Sequence, residues 1–244
     1  MTEERKYPSS PDEHMLHMRH REKHIPIDAS YSFEETGLLY QLSAAALRAL
    51  ALLVLPIWAR FAVDYRIIGR ENLRFLENRG AILIANHVHF LDAPIICSCL
   101  SQTRKIRYIT LGENMDIPVA GPIIKALGGI PLPDSLGGMR SFRRVVDDLL
   151  GRGKWVLFMA EGALWPYYRG IRAFHKGGFS FAARNQVPVV PLVYTFEEGA
   201  FSRERMVLTI GKPIEPDGRT AEQLLEVTQH YFEETAAAFY RRHE

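Results

Sequence analysis

Beyond Arg60 the sequence alternates short apolar, β-prone runs with stretches of helical periodicity, and this alternation restricts the fold more than any other feature. Residues 65–68, 81–85, 106–111, 155–159, 189–194 and 206–210 are the expected strands. Residues 94–101, 119–127, 139–150, 178–184 and 221–241 are the expected helices between and after them. Strands separated by helices imply an α/β domain with a mixed, mostly parallel sheet flanked by helices. With 244 residues and no internal repeat, the chain is expected to hold one globular domain over residues 61–244, preceded by appended segments.

Hydrophobic residues make up 47% of the chain and charged residues 24%, with a mean hydropathy of −0.09. That balance excludes a polytopic membrane protein. A formal net charge of only +2, with Lys and Arg scattered, argues against nucleic acid as a partner and suits an anionic ligand or a membrane surface. On a helix, Cys97 and Cys99 point about 200° apart, so they are expected to be structural thiols of a reducing compartment. Residues 1–30 contain no apolar run of the secretory type and hold Pro8, Pro11 and Pro26, so a mobile polar arm is expected there. His14, His17, His20 and His24 would share an arc of about 120° on a helix, a spacing able to ligate a metal; the lack of aliphatic residues around them favours a solvated arm and no metal.

Residues 36–59 read TGLLYQLSAAALRALALLVLPIWA, long enough for the ~20 residues that cross a bilayer but interrupted by Arg48 and Pro56. Gln41 and Arg48 share one helical stripe while leucines cover the rest, and Trp58 and Arg60 stand at the edge. Residues 31–60 are therefore expected to form an amphipathic membrane-associating segment, a hairpin lying in the headgroup region rather than a span.

The run AILIANHVHFLDAP places a buried strand before Asn86 and His87, then Asp92, Ala93 and Pro94. Asp92 is a natural helix N-cap, and Pro94 is tolerated in a first helical turn. A strand-turn-helix path would let His87 and Asp92 meet, the carboxylate accepting the Nδ1 proton and leaving Nε2 free as a base. Backbone amides just beyond His87 are candidate oxyanion donors.

These residues also carry a resemblance. Asn86 to Asp92, Asn-His-x-x-x-x-Asp, resembles the first motif of the PlsC-like glycerolipid (lysophosphatidic acid) acyltransferase family. LGGIPLP at 127–133 resembles its second motif, FMAEG at 158–162 its third and VPVVPLVY at 187–194 its fourth; FHKGGF at 174–179 and IGKPI at 210–214 also match. The resemblance implies that residues 61–244 are an acyltransferase domain. It implies transfer of a fatty acyl group from acyl-CoA or acyl carrier protein to a lysophospholipid hydroxyl, with 1-acyl-sn-glycerol-3-phosphate as the foremost acceptor and no bound cofactor. His87 would be the general base and Asp92 its orienting partner. Asn86, Gly128, Gly129, Glu161, Gly162, Lys176 and Gly177 would contact substrate, at the cytoplasmic face of the cell membrane.

Two departures bear on the acceptor. Where the family commonly reads Glu-Gly-Thr-Arg, this chain has Glu161, Gly162, Ala163 and Leu164, and it has no arginine near Asp134 before Arg140. Arg140, Arg169, Arg172 and Lys176 are candidates to supply the missing charge, with Trp165, Tyr167 and Tyr168 walling the pocket. Two rival readings are a metal-dependent hydrolase using His87 and His89, and a lipid-binding protein without turnover.

Overall fold

The computed structural model describes residues 6–10, 13, 15, 24–34, 37–76, 78–100, 106–199 and 204–243. Its centre is a seven-stranded sheet in the order β1-β7-β6-β2-β5-β3-β4. The strands are β1 (Arg66–Ile68), β2 (Ala81–Ala85), β3 (Ile106–Thr110), β4 (Gly129–Pro131), β5 (Trp155–Met159), β6 (Val189–Glu198) and β7 (Glu204–Ile210). All neighbours are parallel except the β6–β7 pair. The mixed, mostly parallel sheet expected from the sequence is present, and all six expected runs are strands.

β4 is the strand the sequence conceals. It has three residues, Gly129, Ile130 and Pro131, and lies at the sheet edge against β3, where a proline is tolerated because no second neighbour needs its missing N–H.

β2 is buried at every position, as expected of a central parallel strand covered on both faces. Ala81, Leu83 and Ala85 join one apolar core, with Ile95 and Ile96 of α2 (Asp92–Cys99) and Ala59 of α1 (Leu38–Ala62). Ile82 and Ile84 join the other, with Phe142 of α4 (Leu136–Gly151), Phe179 of α5 (Gly177–Asn185) and Phe232 of α6 (Ala221–Tyr240). The period of two in the strand thus decides which helices each residue meets. Between these layers' elements the chain also forms α3 (Ala120–Ala126) ahead of β4. β5 and β6 flank β2 on opposite sides, so the path reverses direction across β2, and its carboxyl end lies at the switch point where α/β sheets open a crevice.

α1 corrects the expected hairpin: it is one continuous helix of 25 residues containing Pro56, about 37 Å long. Only 17% of its most apolar window is buried; Leu39 is 84% exposed and Leu53 66%. It is long and apolar enough to cross a membrane and compatible with membrane association. Cys97 and Cys99 are buried and free, with burial pushing their thiols up to about 12 and about 11, so both stay protonated and unreactive.

The expectation of a mobile arm over residues 1–30 does not hold for residues 24–30; His14, His17 and His20 lie outside the described residues. Ile27 is fully buried. His24 is gripped between two carboxylates, Nδ1 at 2.5 Å from Asp116 and Nε2 at 2.6 Å from Asp134. Both ring nitrogens must donate, so the hydrogen bonds to Asp134 and then Asp116 hold its pKa above the ordinary histidine value. A raised folded-state pKa means the contact is fully present below the unfolded value and lost as pH rises through the folded one. At the acid end, Asp134, held below the usual carboxylate range chiefly by His24, loses its contribution as pH falls through that lowered value. Hydrogen exchange at Ile25 and Ile27, whose amides donate to the same two aspartates, should therefore show protection factors that fall as pH rises from the ordinary histidine range through the raised value. Pinned protection that is flat across that range would show that the ring is not the clasp.

Candidate active site

Asn86 extends β2 by one step of side-chain pairing. Its Nδ2 donates to the Tyr194 carbonyl at 3.1 Å and its Oδ1 accepts the Tyr194 amide at 2.8 Å, reproducing a ladder pair with β6. Asn86 is fully buried, and its bonds to Tyr194 fix the position of the residue after it.

His87 follows, its side chain 19% exposed, with Nδ1 at 3.0 Å from Asp92 Oδ2. The same oxygen accepts the amides of Val88 and His89, each at 2.8 Å. An oxygen that receives two amides and an imidazole edge is an acceptor only, so Nδ1 carries the proton and Nε2 presents its lone pair. Asp92 is not the N-cap the sequence suggested: its carboxylate turns back to the residues before it. It sits fully buried in the first turn of α2, where the helix dipole favours negative charge. The amides of Val88 and His89 are consumed here, and that of Leu91 donates to His89 Nδ1 at 3.1 Å, so these three cannot be the oxyanion donors expected beyond His87.

Glu161, 2% exposed, lies beyond β5, which is parallel to β2. Its Oε2 accepts the His87 amide at 3.1 Å and Arg172 Nη2 at 2.8 Å, and its Oε1 accepts the Arg172 amide at 2.9 Å. Burial pushes its pKa up, against the pull of the Arg172 charge. Two further backbone bonds, Trp165 to the His87 carbonyl at 3.2 Å and Tyr167 to the Val88 carbonyl at 2.9 Å, bind this loop to the histidine turn. Glu161 and Arg172 therefore hold the turn from behind. Both side chains are turned inward, Arg172 being 6% exposed. Its guanidinium also lies 4.5 Å from the Trp165 ring centroid.

The other expected residues divide by position. Gly162, at φ +73°, sits where an added Cβ would meet His175 Nε2 at 2.7 Å; only glycine fits that turn. Gly177 opens α5, whose next residue, Gly178, packs on Ile84 and Phe158 near the strand ends. Arg169 and Lys176 are exposed and paired with Glu204 and Glu222. Trp165 does not wall an open pocket: it is 7% exposed, stacks on Tyr7 and donates to the Glu13 carbonyl at 2.8 Å. Gly128 and Gly129 lie away from the histidine. Register carries Gly129 through Tyr108 and Leu157 to Leu83, four residues short of His87 and three strands away. That is about 13 Å along the strands and about 14 Å across them, roughly 20 Å in all.

His89, which the hydrolase reading pairs with His87, is 6% exposed and packed beside Trp58, Phe90 and Tyr167. Among the described residues no group of three His, Cys, Asp or Glu side chains is placed to hold a metal ion, so that reading lacks the further ligands it requires. The clamp formed by Glu161 and Arg172 is what sequence reasoning missed; the only signal was that both lie on one loop, and their common burial is not written there.

The family model described as Acyltransferase matches residues 64–195. A chloroplastic 1-acyl-sn-glycerol-3-phosphate acyltransferase of Arabidopsis thaliana is 29% identical over 175 residues, 66% of this chain and 48% of that protein. A 1-acyl-sn-glycerol-3-phosphate acyltransferase of Saccharomyces cerevisiae is 27% identical over 190 residues, 68% and 57% respectively. The chain thus spans about half the length of these relatives. The crystal structure of a 1-acyl-sn-glycerophosphate acyltransferase, PlsC, from Thermotoga maritima shares the fold, with a TM-score of 0.59 and 19% identity over 79% of this chain and 81% of that one. Since the family match takes in more than half of the 244 residues and includes His87, Asp92 and Glu161, the chain belongs to the PlsC-like acyltransferase family.

Proposed function

We propose that the chain transfers a fatty acyl group from acyl-CoA or acyl carrier protein to the hydroxyl of a lysophospholipid, foremost 1-acyl-sn-glycerol-3-phosphate, at the cytoplasmic face of a membrane. The observation that carries this reading is the His87–Asp92 pair at the carboxyl end of the central strand, with Nδ1 tied down at 3.0 Å. His87 Nε2 removes the proton of the acceptor hydroxyl as its oxygen attacks the thioester carbonyl. A carbon–oxygen bond forms, the carbon–sulfur bond breaks, and the imidazolium returns the proton to the departing thiolate. Asp92 keeps the ring oriented and stabilises its charged form. No enzyme nucleophile is required, because the thioester is already activated.

The similarity to 1-acyl-sn-glycerol-3-phosphate acyltransferases supports the acceptor, and α1, with its apolar face exposed, supports a membrane location. Residues 31–62 are then the membrane-associating segment and residues from 63 onward the catalytic domain. The phosphate of the acceptor falls to Arg169, Lys176 and the α5 amino end at Gly177, Arg172 being enclosed. A second reading is favoured by one observation: Ala163 and Leu164, where the family commonly has a hydroxyl and a guanidinium, are 2% and 6% exposed, and the exposed cations nearby already face glutamates. On that reading the acceptor is a lysolipid whose phosphate is esterified.

Thiol release from acyl-CoA and acyl carrier protein, measured with purified protein across a panel of lysolipids in vesicles, tests both. The highest specificity constant is expected for lysophosphatidic acid; preference for lysophosphatidylcholine would establish the second reading. Absence of acyl transfer to every lysolipid would overturn the function.

A further inference from the structure

Away from the His87 end of the sheet, α1 covers a cavity of about 380 Å³ beside the start of β4. Arg48 of α1, Arg107 of β3, Lys125 and Arg152 line it, and the carboxylate among its lining residues, Glu34, is engaged by Arg152 at 2.8 Å. Among the described lining residues four side chains are basic and one is acidic.

Arg48 and Arg107 are the informative pair. Arg48 Nε is buried and finds no hydrogen-bond acceptor among the described residues. Arg107 gives Nη1 to the carbonyl of the preceding Ile106 at 3.2 Å. Neither has a carboxylate partner among the described residues. Burial, and after it the neighbouring Arg48 charge, hold the Arg107 pKa below the ordinary guanidinium value. Two partly buried guanidiniums repel one another here, and Glu34, the carboxylate nearby, is already engaged by Arg152, so their charge is incompletely offset. An anion in the cavity supplies the missing charge. Two planar forks suit a tetrahedral oxyanion that accepts several hydrogen bonds at once, and the charges of Arg48 and Arg107 together match a dianion.

We propose that this cavity is a binding site for the phosphomonoester group of a membrane lipid, held by Arg48 and Arg107 and separate from the reaction centre. The separation follows from the strand register: Gly129, on the cavity wall, is roughly 20 Å from His87, whereas only a few bonds separate the hydroxyl of a lysophosphatidic acid from its own phosphate. One molecule cannot occupy both. A lipid is the source because Arg48 belongs to the helix whose other side exposes Leu39, Leu42, Leu50 and Leu53. That exposed apolar side suits contact with a bilayer, where lipid head groups are the phosphates concentrated beside the stripe formed by Gln41 and Arg48. This site does not depend on the reaction proposed above.

The test is flotation of the full chain with phosphatidylcholine vesicles, with and without phosphatidic acid. Phosphatidic acid should raise the bound fraction. Arg107→Gln, on β3 rather than on the exposed helix, should reduce that increment at least about fivefold while leaving binding to phosphatidylcholine alone unchanged. Its melting temperature without ligand should be no lower than that of the wild type, because an uncompensated charge has been removed; this also verifies folding. If Arg107→Gln and Arg48→Gln both respond to phosphatidic acid as the wild type does, the site is wrong. In a parallel arm, inorganic phosphate is added during thermal melting. If it stabilises the wild type while phosphatidic acid adds nothing to flotation, the occupant is a soluble phosphate and the lipid assignment is overturned.

Discussion

His87→Ala is expected to lower the turnover number for acyl transfer by about 10²- to 10⁴-fold, the usual consequence of losing a general base, with little change in melting temperature. The side chain is partly exposed and its one described partner is Asp92, so little packing is lost. The loss belongs in the turnover number rather than in KM, because the imidazole acts on the proton that moves during attack and not on the resting acceptor. Asp92→Asn should move in the same direction by a different route. Its amide oxygen can take the place of Oδ2 and accept the same three groups, but it does so without the carboxylate charge, and its NH2 falls where Oδ1 is buried without a hydrogen-bond partner among the described residues. The weaker hold on Nδ1 frees the ring to adopt the tautomer in which Nε2 is protonated and useless as a base. Steady-state kinetics with saturating thioester, together with circular dichroism of each variant, checks this; a folded His87→Ala protein with near-normal turnover would remove the mechanism.

Arg172→Leu should act on stability. The guanidinium is buried against Glu161 at 2.8 Å, and removing it leaves a carboxylate in the interior without its counter-charge. Breaking a buried pair from one side costs about 3–5 kcal/mol, which in a domain of this size lowers the melting temperature by roughly 6–20 °C. Catalysis should suffer as a second effect, because Glu161 Oε2 also accepts the His87 amide and a protonated or displaced Glu161 loosens the turn that aims the imidazole. Replacing both partners, Glu161→Leu with Arg172→Leu, should recover much of the stability but not the aim of His87, since the double variant has no stranded charge and no acceptor for that amide. Differential scanning calorimetry of the two single variants and the double variant decides it. If Arg172→Leu melts with the wild type yet loses affinity for lysophosphatidic acid over neutral lysolipids, Arg172 is a ligand and not a clamp.

The contrast between these residues shows where sequence reasoning stops. His87 and Asp92 are five apart, and the intervening turn is local: a buried strand must end, and a proline-compatible helix begins at Asp92, so their meeting was legible from the run itself. Arg172 and Glu161 are eleven apart on an irregular loop, and neither residue type nor spacing says that both are withdrawn from solvent. Read as a sequence, that loop offers three cations to a phosphate. Folded, it encloses one and leaves Arg169 and Lys176 at the surface.

By itself the sequence determined the alternation of six strands with helices, the strand-turn-helix that joins His87 to Asp92, and an apolar segment before residue 60. Each is written in nearest neighbours and periodicity, which act over a turn or a strand. Tertiary structure alone decided that Asn86 pairs with Tyr194, 108 residues away, that Gly128 and Gly129 begin an edge strand far from the histidine, and that α1 runs unbroken past Pro56. It also set Arg48 and Arg107 on the wall of one cavity. Burial and charge pairing depend on which distant segments share a face of the sheet, and that is a property of strand order and register, to which no local stretch of residues has access.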